Sequence, residues 1–318
     1  MNHAQRLRHS IAILSLSILF MFLLSLSIQL VLGPIIQSAS PALYHHPIFQ
    51  WVLGSIPLYG IAMPLALPLI KRAAPASPPR RRRLSPIAWI GALSACFLSS
   101  YLLSIAGALI SRLLANLTGA PYQNPVESMT VVSPLWCNLL FLVILAPVFE
   151  EIFLRKLIID RLRPYGELAA ILLSGIAFGL VHGNLHQLLY ACASGILFGW
   201  IYVKTGNIVV NISLHATLNF IGGVYASEIE KLTRGNDWNG LLQNPAALAD
   251  VLNIVYAVLL GVCALVCIIL LARIKAWAPL VRLNAAELPL TRRDWRVALW
   301  TNHFVWFFLV FFVLLLFI

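Results

Sequence analysis

Nine stretches of this chain are apolar over lengths that suit a lipid bilayer, near 10–33, 49–70, 86–110, 135–158, 168–184, 187–203, 207–225, 250–272 and 298–318. A hydrocarbon core about 30 Å thick takes roughly 20 apolar helical residues to cross. The spacing predicts an all-α, polytopic transmembrane helix bundle of about nine spans. Composition agrees, because 60% of the 318 residues are hydrophobic and only 10% charged, with a mean hydropathy of +0.88. A soluble domain carries roughly a quarter charged residues. The spans near 168–184 and 187–203 are short, and Gly183-Asn184 marks a tight turn between them.

The net charge of +11 follows topology and is no nucleic-acid footprint. With the N-terminus inside, every lysine and arginine except Arg112, Lys231 and Arg234 falls on an inner segment or an inner helix end. The positive-inside bias therefore sets the N-terminus inside and the C-terminus outside. Basic residues at that surface also have some affinity for anionic lipid headgroups. The first apolar run is about twice the length of a signal-peptide core and lacks a small-residue cleavage site before Pro34, so it reads as an uncleaved span. Cys96, Cys137, Cys192, Cys263 and Cys267 all lie in apolar runs and read as packing residues, with no disulfide framework or cysteine-rich metal knuckle.

No soluble domain and no internal repeat is evident. Residues 1–84 read as two transmembrane helices plus a basic cytoplasmic linker, whose Lys71–Pro86 stretch is expected to be flexible. Residues 85–225 form the helical core, and 226–318 hold an outer loop, two further spans and a basic inner segment. Outer loops are expected over 120–134 and 226–248. The segment 276–297 suits an interfacial helix.

Polar groups in the middle of the chain are placed as if for chemistry. They are Glu150-Glu151-x-x-x-Arg155, Phe178-x-x-x-His182 and His215-x-x-x-Asn219. Ionisable groups in membrane segments are costly and mark function by default. Glu150 lies 15 residues before Tyr165 in the Pro164-Tyr165-Gly166 turn, and His182 lies 17 after it. These offsets are roughly 22 and 25 Å along antiparallel helices at about 1.5 Å per residue, so the two share a height. The turn at Gly206-Asn207 places His215 and Asn219 lower, within reach once the helices tilt. Glu151 and Arg155 are i,i+4 neighbours suited to an ion pair. Arg155 then offsets a buried carboxylate, and Glu150, about 100° round the helix, faces a cavity. A carboxylate there can take a proton from water, which His182 could share. His215 and Asn219 leave one helix face and suit donation to an oxyanion. Gly175 with Gly179 and Gly195 with Gly199 let helices approach closely.

Taken singly, each motif has a plainer reading. Glu150-Glu151 suits an interfacial helix end paired to Arg155 and Lys156. His182, near Asn184 and His186, suits an interfacial polar residue. His215 and Asn219 suit ordinary interhelical hydrogen bonds. Asn211, His186 and His303 read as structural.

Together, the three motifs resemble those of the CPBP family, the type II CaaX prenyl endopeptidases and their bacterial relatives, over about 135–225. The resemblance implies an intramembrane endopeptidase. In it Glu150 and His182 activate water, His215 and Asn219 stabilise the oxyanion, and Glu151 and Arg155 organise the site. The family has also been described as metal-dependent. Glu150, His182 and His215 are a residue set that zinc accepts, yet no His-Glu-x-x-His occurs, so the metal-free glutamate route is favoured. The expected partners are the lipid bilayer and a membrane-associated protein or peptide substrate, in an integral multi-pass protein of a bacterial cytoplasmic membrane. A non-hydrolytic scaffold using the same cavity is the main alternative. A proton-relay transporter is disfavoured, because no inverted repeat pair or paired broken helices is evident.

Overall fold

The computed structural model describes residues 1–119, 124–234 and 245–317. It is an all-α bundle, with no strand among the described residues. Its helices are α1 (His3–Ala39), α2 (Pro47–Ile70), α3 (Pro86–Thr118), α4 (Leu135–Tyr165), α5 (Glu167–Val181), α6 (Leu185–Thr205), α7 (Ile208–Thr233), α8 (Pro245–Ala272), α9 (Ile274–Val281), α10 (Arg292–Trp300) and α11 (His303–Leu315). The short turns Pro41–Tyr44 and Pro125–Thr130 complete the helical set.

Each of the nine apolar stretches is helical. Among the described residues, seven helices (α1–α4 and α6–α8) have the length and hydropathy to cross a membrane. α5, with 15 residues, is shorter than a straight crossing needs. The last stretch departs from expectation, because α10 and α11 meet at 62° instead of forming one straight span. Asn302 causes the break. Its side chain accepts from the Phe304 N–H to start a new helix and donates to the Arg8 carbonyl.

Two tight turns stand where glycine and asparagine placed them. Gly183 and Gly206 hold φ of 65° and 55°, a region open to glycine, and Asn184 and Asn207 then cap the next helices. The expected interfacial helix over 276–297 divides into α9 and α10. Between them, Asn284 donates from its backbone and its side chain to Glu167, and Leu288 N–H donates to the Pro164 carbonyl. The 71–85 segment is irregular, as expected, but it is a tethered strap and not a free linker. Ser77 N–H donates to the Asp160 carbonyl, Arg82 N–H to the Thr205 carbonyl, and Arg163 donates to both the carbonyl and the hydroxyl of Ser77. The outer loops shrink too, since α7 continues to Thr233 and Pro125–Thr130 is helical; residues 120–123 and 235–244 of those expected loops lie outside the described residues.

The bundle has two distinct ends. At one lie the start of α1, the strap, the 163–166 and 206–207 turns and the 282–291 segment, joined by the contacts above and by Arg8 to the Thr301 carbonyl. At the other, Trp51 donates to Ser133, Lys231 to the Ser133 carbonyl, and Gly183 lies beside Leu315. The core between them runs from Leu7 on α1 through Ile159 on α4 and Tyr202 on α6 to Phe312 on α11.

Candidate active site

α5 and α6 pack so closely that their glycines leave no room for side chains. A methyl built on Gly175 would stand 2.5 Å from Ile196 Cγ1, and one on Gly195 would stand 3.0 Å from Gly175 Cα. This brings Phe178 and His182 of α5 toward α4 and α7. Between these helices and α2, α3 and α8 lies a cavity of about 490 Å³, within the range of small-molecule and peptide sites. Glu150, His182, His215 and Asn219 all line it.

Glu151 turns the other way, and it is fully buried. Its Oε1 lies 3.0 Å from His215 Nδ1, its Oε2 accepts from Asn211 Nδ2 at 3.2 Å, and Arg155 Nε stands 3.6 Å away. A carboxylate can only accept in this contact, so Nδ1 carries a proton and His215 is held through it. The other ring nitrogen, Nε2, is 3.9 Å from Glu150 Oε2. Arg155, also fully buried, has no hydrogen-bond partner among the described residues; its guanidinium lies 3.8 Å over the Phe178 ring centroid. Coulombic attraction to Glu151 and the ring face compensate its charge.

His182 Nδ1 meets the Phe178 carbonyl at 2.6 Å. A carbonyl cannot donate, so Nδ1 bears the proton and Nε2 is left as an acceptor. Asn219 Nδ2 donates at 2.9 Å to the carbonyl of Leu142. That carbonyl is free for a local reason. Residues Leu139–Leu145 form a π turn, in which each carbonyl accepts from the fifth residue on, and for Leu142 that residue is Pro147, which has no N–H. The amide nitrogen of Asn219 retains a second hydrogen.

The structure thus brings all six candidate site residues into one contiguous site, with Glu150, His182, His215 and Asn219 on the cavity and Glu151 and Arg155 behind it. Among the described residues, no three His, Cys, Asp or Glu side chains converge as a metal-binding group, so the set that zinc would accept by type is not gathered on a point.

Several contributors escape a reading of the motifs. Tyr59 of α2 donates to Glu150 Oε1 at 3.0 Å and stacks on Phe149 with ring centroids 5.0 Å apart. Trp51 stacks likewise on Phe141, so α2 lies parallel to α4 through two aromatic pairs with the same eight-residue step. Asn211, read as structural, touches Glu151. A signal for it was present, because 211, 215 and 219 share one helix face at steps of four. His186 borders the cavity as well, whereas His303 is exposed at the start of α11.

Residues 132–221 match the family model described as Type II CAAX prenyl endopeptidase Rce1-like. That stretch holds all three motifs and part of the wall around Glu150, so this part of an integral, multi-pass membrane protein is similar to that endopeptidase family. The chain is also similar to a protein of Bacillus subtilis (strain 168) named "Putative membrane peptidase YdiL", at 29% identity over 129 residues, which is 40% of this chain and 52% of that relative. The chain therefore spans about half the length of the curated relative it matches. No solved structure matches it.

Proposed function

We propose that this chain is an intramembrane endopeptidase of a bacterial cytoplasmic membrane, hydrolysing a peptide bond in a membrane-associated protein or peptide. The observation that carries the reading is the shared cavity, with the Glu150 carboxylate facing His215 Nε2 and backed by the Glu151–Arg155 pair. The Rce1-like match and the name of the Bacillus relative point the same way.

In this reading a water sits between Glu150 and His182. Glu150 takes one of its protons, while His182 Nε2 accepts from the other O–H and orients it. The water oxygen attacks the carbonyl carbon, and the carbonyl π electrons move onto oxygen. That oxyanion accepts from Asn219 Nδ2 and from His215 Nε2–H. For the latter, His215 carries both ring protons, with Nδ1–H held by Glu151. Collapse re-forms the carbonyl and breaks the C–N bond as Glu150 returns its proton to the departing amine.

The test is mass-spectrometric profiling of protein termini in cells carrying wild type or Glu150→Gln at equal expression. New N- and C-termini found with the wild type alone are expected. If no termini differ, while a deletion phenotype is rescued equally by both versions, the cavity serves a scaffold and the hydrolytic reading is lost. We propose the route without a metal. Thorough chelation is expected to leave cleavage unchanged, and loss of cleavage restored by zinc would reverse that assignment.

A further inference from the structure

The cavity is displaced toward one end of the bundle. On α6 its lining residues are His186, Gln187, Tyr190 and Ser194, all close behind the Gly183-Asn184 turn. On α3 they begin at Phe97 and reach Ala108, toward the Gly119 end. On α7 they run from His215 to Gly223, away from the Gly206-Asn207 turn. Asn124 and Val126, at the start of the short Pro125–Thr130 helix that precedes α4, border it too. Among the described residues, none of the lining comes from the strap, the 163–166 turn, the 206–207 turn or the 282–291 segment. Those are the places where the arginines collect.

The wall is also unusual in charge. Glu150 is its only carboxylate among the described residues, and no lysine or arginine lines it. Aromatic rings (Trp51, Tyr101, Tyr190 and Tyr256) alternate with small and amide side chains. One polar atom on the wall has nothing to bond. Ser100 Oγ is buried, borders the cavity, and has no hydrogen-bond partner among the described residues. A buried hydroxyl left this way is costly, and a bound backbone amide would satisfy it. An anionic side chain in the same place would lose its water and find no lysine or arginine, and a cationic one would meet only Glu150, which the hydrolytic reading commits to water.

We infer that the cavity is loaded from the end opposite the arginines, which the positive-inside rule makes the outer face, and that it takes an extended, uncharged peptide segment. The cleavage of that segment rests on the function proposed above; its route and chemistry do not.

Thiol labelling of the full-length chain separates the two. Cysteines are placed at the mouth (Val126→Cys or Gln187→Cys), on the wall (Ser100→Cys) and on the opposite end (Ala76→Cys). The parent chain provides the baseline for the native cysteines. In intact bacterial cells a sulphonated, membrane-impermeant maleimide is expected to label both mouth positions and spare Ala76→Cys, with the pattern reversed in inverted vesicles. Labelling of Ala76→Cys from outside, or of neither mouth position, would overturn the route, and two mouth variants guard against one misfolding. At Ser100→Cys, N-ethylmaleimide is expected to react at least about ten-fold faster than the sulphonated reagent relative to their rates at the mouth; equal ratios would overturn the uncharged-segment assignment. Glu150→Gln added to each variant should change none of these rates, so absent proteolysis and wrong access give different results.

Discussion

Tyr59 reaches Glu150 from a helix outside the matched 132–221 stretch, and it offers a way to separate positioning from structure at a single atom. Tyr59→Phe keeps the stack on Phe149 and removes the hydroxyl. A hydrogen bond to a charged group contributes about 1.5–3 kcal/mol, so kcat is expected to fall by about ten-fold or more with KM nearly unchanged, measured on whatever substrate the terminal profiling identifies. Asn219→Ala removes the proposed oxyanion donor and is expected to lower kcat by about 10²–10³. Arg155 acts differently. Arg155→Ala leaves the buried Glu151 without its compensating charge, which costs about 3–5 kcal/mol; a large fall in the thermal midpoint in detergent is the measurement, and an unchanged midpoint would show that His215 and Asn211 suffice. The spacing of the motifs made the six site residues legible in the sequence, because i,i+4 geometry survives in any helix. Tyr59 was not legible, since its role depends on which face of α2 meets α4, and long-range packing of that kind leaves no periodic mark.

Helix elements explain where the reading of 100° per residue breaks down. Among the described residues, four π turns occur at Ile56–Ala62, Leu139–Leu145, Glu151–Lys156 and Phe220–Tyr225, and each borders or carries a residue of the candidate site. Wide turns re-aim side chains and release carbonyls. A pattern of apolar residues cannot disclose them, although Pro147 hinted at one. The small-residue faces of α5 and α6 were legible, because a glycine repeat states its own purpose. A methyl at Gly179 would run into Cys192 Sγ. Gly179→Ala is therefore expected to destabilise the protein by about 1–3 kcal/mol, with partial recovery on adding Cys192→Ala, read from thermal unfolding in detergent. Full tolerance of Gly179→Ala alone would mean that the two helices separate freely.

Over the whole molecule, hydropathy was enough to give an all-α bundle and the location of its long apolar helices, though not of the short helices Pro41–Tyr44 and Pro125–Thr130. The bend at Asn302 and the ordering of the strap were hidden. A Pro- and Arg-rich segment reads as flexible until its backbone finds partners, and here Asp160, Thr205 and Arg163 supply them from two other helices. Arg163→Ala removes the contacts to Ser77 and to Glu287. Trypsin added to inverted vesicles is then expected to cut at Arg80–Arg83 several-fold faster, since local opening needs less free energy, while thiol labelling at Val126→Cys from the outer face stays the same. Equal cutting rates would mean that the strap is held by its other contacts, among them those of Ser77, Arg82 and Ala74 through their backbone N–H groups.

The two aromatic pairs that join α2 to α4 bear on how this scaffold can be rebuilt. The matched stretch supplies Glu150 and its immediate company, but Trp51, Ser55 and Tyr59 come from α2, and Phe97 and Ser100 from α3. A chimera that grafts residues 132–221 alone into another membrane protein would carry the motifs with one side of the chamber missing. The transplantable unit begins at α2, and a swap of α2 between relatives is the economical place to retune which segment the chamber accepts.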